Sequence, residues 1–137
     1  MIETREFIAT RDGTLEAYGF RPETGEPFPV VILYMDAPGI RGELFDFCRR
    51  IAGHGYFALL PDMYYRLGRI RFEMRDLAEG SPGRARMFEA MQSLTNELVM
   101  SDTRGMLQHL ATLPHVKPGP KGCIGYCMSG QYVVSAA

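Results

Sequence analysis

An excess of charge is the first thing this sequence lacks: 15 Lys and Arg stand against 16 Asp and Glu, a formal net charge of −1 over 137 residues. A near-neutral chain has no sequence-wide electrostatic footprint of the kind that nucleic-acid binders and polybasic membrane-surface proteins need. Long apolar runs are missing too, since none approaches the roughly 20 residues of a membrane-spanning helix. The N-terminus, Met1-Ile2-Glu3-Thr4-Arg5-Glu6, puts acidic residues where a secretory leader is basic, and no apolar stretch follows. The expectation is a soluble, cytoplasmic chain with neither a nucleic acid nor a membrane as partner. Cysteine is scarce and odd in number, with only Cys48, Cys123 and Cys127. That suits free thiols in a reducing compartment, in a domain too large to depend on disulfides. Cys123 and Cys127 are spaced C-x-x-x-C with no second Cys or His cluster at zinc-ligand spacing, so no metal is expected.

What is present is an ordinary apolar content, 46%, enough for one core in one domain. Arg5 to Thr10 reads as a strand, Arg11-Asp12-Gly13-Thr14 as a turn, and Leu15 to Phe20 as the returning strand. After a Pro- and Gly-rich loop, the unbroken run Val30 to Met35 suits a strand buried on both faces. Leu44, Phe47, Cys48 and Ile51 recur at helical spacing and stop at Gly53-His54-Gly55. Tyr56 to Leu60 is a further apolar strand, so strand, helix and strand follow closely enough for a right-handed parallel crossover. From Asp62 to Asn96 periodicity is weak, with a helix predicted over Ala85 to Leu94. Val99, Thr103, Met106, Leu107, Leu110 and Leu113 trace one helical face, ended by Pro114 and by Pro118-Gly119-Pro120. Lys121 to Tyr126 is the last strand, and a helix is predicted from Met128 onward. The fold class is α/β, a mostly parallel sheet with helices on both faces.

The segment Gly125-Tyr126-Cys127-Met128-Ser129-Gly130 sets a nucleophilic side chain between a buried strand and a helix, with small residues around it. That is the nucleophile-elbow pattern, in which a tight strained turn leaves no space for bulk two residues either side. Gly125, Ser129 and Gly130 meet that requirement. A thiol at a helix N-terminus lies near free backbone N–H groups and the positive end of the helix dipole, which favour thiolate. The amide of Met128 is placed to bind an oxyanion. The competing reading is that Cys127 is a small buried hydrophobe in a βα turn. No Gly-Lys-Ser/Thr follows and G-x-G-x-x-G is absent from this turn, so neither a phosphate loop nor a dinucleotide fold is indicated, and no cofactor is expected.

With these residues in view, the chain resembles the dienelactone hydrolase (carboxymethylenebutenolidase) family of α/β-hydrolases, in four segments along its length. The elbow resembles that family's Gly-Tyr-Cys-x-Gly-Gly, with Ser129 in place of a glycine. Gly55-Tyr56-Phe57-Ala58-Leu59-Leu60-Pro61-Asp62-Met63-Tyr64 resembles its strand ending in Pro-Asp-Leu-Tyr. Met35-Asp36-Ala37-Pro38-Gly39 falls where the family has a Glu and a short loop ending in Gly, and the opening Asp-Gly hairpin matches as well. The resemblance implies an α/β-hydrolase fold and a hydrolase that cleaves a carboxylate-bearing ester or lactone, a small-molecule substrate, with Cys127 as nucleophile. It implies a proton relay at Asp36, one methylene shorter than the family's Glu; the alternative is that Asp36 caps the next helix or steadies the turn. It implies Ala37 as the second oxyanion amide beside Met128, and an arginine for the substrate carboxylate, for which Arg84 and Arg86 are the positional matches. Tyr64 and Arg66 follow a strand end, where ligand crevices form in open α/β sheets. They are candidates to line the site, but the favoured role is that Asp62 and Arg66 pair and order the loop.

In this fold the catalytic acid and histidine follow the nucleophile, whereas His54, His109 and His115 all precede Cys127. None of the three is expected to be the base. The last residues, Ser135-Ala136-Ala137, fall inside the expected final helix without a cap or breaker. Residues 1–137 therefore read as a partial α/β-hydrolase domain, cut just after the elbow, whose whole form would run on for roughly another hundred residues. The strand order expected is first, second, fourth, third, fifth, leaving the nucleophile strand as an exposed apolar edge open to self-association. Without a base a thiol of ordinary acidity is only a few per cent ionised at neutral pH, so the 137 residues alone are expected to be nearly inactive. The alternative to a hydrolase is a non-catalytic binding module with a redox-sensitive thiol.

Overall fold

The computed structural model describes all residues, 1–137. The chain opens on the expected hairpin, β1 (Ile2–Thr10) and β2 (Gly13–Arg21), which are longer than the apolar alternation marks. Thr10 pairs with Gly13 across the two-residue turn Arg11-Asp12. Arg5 donates to Glu16 across the hairpin at 2.8 Å. β3 (Val30–Tyr34), α1 (Gly42–Gly53) and β4 (Phe57–Pro61) make the parallel crossover, with β4 buried along its whole length. α1 buries Leu44, Cys48 and Ala52, every fourth residue, against the sheet, while Phe47 and Ile51 lie half-buried beside them.

Two short 3₁₀ turns, Tyr65–Leu67 and Met74–Leu77, occupy the stretch of weak periodicity. α2 (Pro82–Gln92) begins three residues before the periodicity does, because the Ser81 hydroxyl accepts the Arg84 amide and Pro82 fills the first turn. α3 (Asn96–Leu110) is capped in the same way by Thr95. It buries Val99, Thr103, Met106 and Leu110, whereas Leu107, expected on that face, is exposed, and Leu113 lies past the helix end. Gly105 lets α3 lie against β1, since a Cβ there would sit 2.9 Å from the Ala9 carbonyl oxygen.

β5 (Gly122–Gly125) pairs in parallel with β3 and leads through a 3₁₀ turn, Cys127–Ser129, into α4 (Gly130–Ala136). The sheet order is β1-β2-β4-β3-β5, as expected, with β5 at one edge. The three parallel strands β3, β4 and β5 thus release their C-terminal ends side by side, and the loops bearing Asp36, Tyr64 and Cys127 leave from those ends. No helix is long and apolar enough to cross a membrane.

Candidate active site

Cys127 is the only non-glycine residue with positive φ, at 55°. For a residue with a Cβ this left-handed conformation is costly and persists where surrounding contacts impose it. At Gly125 a Cβ would lie 2.6 Å from the Ser129 carbonyl oxygen and 2.7 Å from Val133 Cγ2. Ser129 is fully buried and its hydroxyl donates to the Met35 carbonyl. Around Gly130 there is open space, so the third small residue is not required by the turn. Of the three thiols only that of Cys127 is exposed. Burial pushes Cys48 up to about 12, and also raises Cys123, which leaves those two poor nucleophiles.

Opposite the elbow runs the loop Met35–Gly39. The Gly39 amide donates to the Asp36 carbonyl at 3.0 Å and closes it into a turn. The Ala37 amide, buried in that turn, is spent on no other backbone carbonyl. Met128 stands in the first turn after Cys127, where helix amides have no intrahelical acceptor. The two amides expected to face an oxyanion are therefore both free of helix and sheet pairing in their loops.

Asp36 does not cap α1. Both its oxygens accept from Arg41, at 2.6 and 2.9 Å, and Arg41 also bonds the Gly39 carbonyl and Glu43. Arg41 is the residue that sequence reasoning missed. The available signal was an arginine just past the Pro38-Gly39 turn, close enough to fold back on the carboxylate. This bidentate guanidinium pair occupies both carboxylate oxygens and turns the Asp36 side chain toward Arg41 at the start of α1. A cleft of about 330 Å³ opens beside this pair, with Arg41 and Arg71 in its walls.

Tyr64 is buried rather than lining an open surface. Its phenol donates to the Ala37 carbonyl at 2.8 Å and reaches Met128 Sδ at 3.5 Å. Burial first, and then the neighbouring Tyr132, Asp36 and Cys127, raise its pKa, so the phenol stays a donor across neutral pH. The expected Asp62–Arg66 pair is not formed. Asp62 instead accepts from Arg71 at 2.8 Å and from the Tyr64 amide at 3.2 Å, while Arg66 is held by Asp12 and by buried Asp102. Arg84 is half-buried, donating to the Leu77 carbonyl and stacked over Phe88, and Arg86 is exposed on the same helix. The histidines are engaged elsewhere: His54 with the Arg50 carbonyl, His109 near Glu6, and His115 against the Phe57 ring. No group of three or more His, Cys, Asp or Glu side chains is assembled that could hold a metal ion.

Comparison with known proteins gives a consistent picture. The model of the "Dienelactone hydrolase family" matches residues 15–137. A protein of Methylorubrum extorquens named "Putative carboxymethylenebutenolidase" is 28% identical over 90% of this chain and 40% of its own length. A Synechocystis protein of the same name is 29% identical over 95% of this chain and 51% of its own. The chain thus spans about half the length, or less, of these relatives. A Klebsiella pneumoniae crystal structure named "Putative Dienelactone Hydrolase" superposes with a TM-score of 0.75 at 22% identity, over 96% of this chain and 53% of that one, a likeness of fold.

Proposed function

Because the chain belongs to the dienelactone hydrolase family, we propose that the intact protein cleaves a carboxylate-bearing ester or lactone by acyl transfer through Cys127. The observation that carries the reading is the single left-handed non-glycine residue, an exposed thiol at the strand-to-helix turn. The Cys127 sulfur, its proton taken by the histidine this fold places after the nucleophile, attacks the carbonyl carbon. The C=O electron pair moves to oxygen, and the amides of Ala37 and Met128 hold that oxyanion. The pair returns, the C–O bond to the leaving group breaks, and the leaving oxygen takes the proton from the base. Water then cleaves the thioester to give the acid and the free thiol. Arg84 and Arg86 are the candidates to hold the substrate carboxylate, and Asp36 is the candidate relay once its pair with Arg41 opens.

The test is to replace Cys127 by Ala in the intact protein and assay small enol-lactones and aryl esters. The expected result is a loss of kcat/KM on the order of 10⁴-fold or more; unchanged hydrolysis would refute the assignment. A second reading, a binding module with a redox-sensitive thiol, draws support from the locked Asp36. Sulfenic-acid trapping at Cys127 together with no hydrolysis of any ester would favour it.

A further inference from the structure

Three successive carbonyls of the loop after β3 are each tied down. The buried Ser129 hydroxyl donates to the Met35 carbonyl, the Gly39 amide to the Asp36 carbonyl, and the buried Tyr64 phenol to the Ala37 carbonyl. The Ala37 amide lies in the peptide plane between Asp36 and Ala37, so fixing the planes on either side removes its freedom to turn. Both hydroxyls also belong to the other half of the oxyanion pair. Ser129 is the residue after Met128, and the Tyr64 phenol touches Met128 Sδ at 3.5 Å. The structure assigns Ser129 and Tyr64 as positioning residues that set the separation and mutual angle of the Ala37 and Met128 amides. This rests on the acyl-transfer reading above. Neither hydroxyl touches the substrate; each acts through the backbone it bonds.

The experiment uses Tyr64→Phe and Ser129→Ala in the intact protein, each of which removes a hydroxyl and keeps most of the side-chain volume. Losing an oxyanion donor outright costs about 10²–10³ in kcat, and misaiming one is expected to cost about tenfold. KM should stay within about twofold. Alkylation of Cys127 by iodoacetamide forms no oxyanion, so its rate should also hold within about twofold, whereas general damage to the elbow would lower both rates together. Amide hydrogen exchange in residues 36–39 should quicken in both variants. Wild-type kcat in both variants, with Cys127→Ala inactive, would overturn the positioning role and leave the nucleophile assignment standing. Alkylation falling in step with kcat would overturn it as well. If Cys127→Ala keeps full activity, the acyl-transfer reading itself fails. Should no ester be hydrolysed even by the unaltered protein, exchange decides: faster exchange at residues 36–39 supports the clamp and unchanged exchange refutes it.

Discussion

Gly125 and Gly130 flank the same thiol, yet only at Gly125 does a Cβ meet backbone, 2.6 Å from the Ser129 carbonyl oxygen. Gly125→Ala must push that carbonyl or the strand aside and is expected to cost about 2 kcal/mol or more of unfolding free energy. Gly130→Ala meets open space at the start of a helix and should be neutral or up to about 1 kcal/mol stabilising. Urea denaturation midpoints of the two variants check this, and equal losses at both would show that the turn does not discriminate them. The contrast also marks what was legible in the residues. The strained strand-to-helix turn at Cys127 and the need for a small residue at position 125 follow from the local pattern, whereas Ala37 enters only through the family resemblance. That Ser129 supplies a hydroxyl bond as well as small size, and that Arg41 captures Asp36, depend on how separate loops meet, which spacing along the chain does not encode. Gly130 fits the small-residue pattern without being required by it, because a run of small residues does not reveal which one is crowded.

α1, α3 and the strands were legible because burial imposes a period on their sequences, and α3 differs only at its ends, starting behind the Thr95 cap and stopping at Leu110 before Leu113. The segment after β4 was not legible, because its shape comes from ion pairs with remote elements. Arg66 reaches Asp102 on α3 at 2.7 and 2.9 Å and Asp12 in the hairpin turn at 2.7 Å, while the Tyr65 phenol donates to Asp102 at 2.8 Å. Asp102 is 3% exposed, so it ties α3 to the Tyr65–Leu67 turn from within the protein, and Arg66 carries the link on to Asp12 in the hairpin turn. Breaking a buried pair by removing one partner costs about 3–5 kcal/mol. Arg66 keeps Asp12, and Tyr65 keeps its bond to Thr10 at 2.7 Å, so Asp102→Ala is expected to lose about 2 kcal/mol. The loss should appear in urea denaturation, together with faster proteolysis between residues 65 and 72. A variant as stable and as resistant as the unaltered chain would mean that the 3₁₀ turn at Tyr65–Leu67 holds without its anchor.

At the scale of the whole molecule the observed strand order is the one that the family resemblance implies, and it has a consequence for association. β5 pairs with β3 alone, so one row of its backbone donors and acceptors faces outward along Gly122–Gly125. Open edges of this kind pair with other chains unless charge, proline, a bulge or a covering element blocks them. The strand itself carries no charge and no proline, and its residues are exposed or half-buried. Beside it, Ile124 shares an apolar trough with Val31, Ile51 and Tyr56, and the Tyr126 ring lies 54% exposed against Phe47. Two copies meeting edge to edge would satisfy the free backbone groups and cover this trough at once. The 137-residue chain is therefore expected to show a mass in sedimentation equilibrium that climbs with concentration above the 15.4 kDa of one copy. High salt should not reverse the association, since no ion pair forms on that edge strand to be screened. A constant 15.4 kDa across a hundredfold dilution series would show that the edge stays unpaired and that the exposed apolar surface is too small to drive assembly.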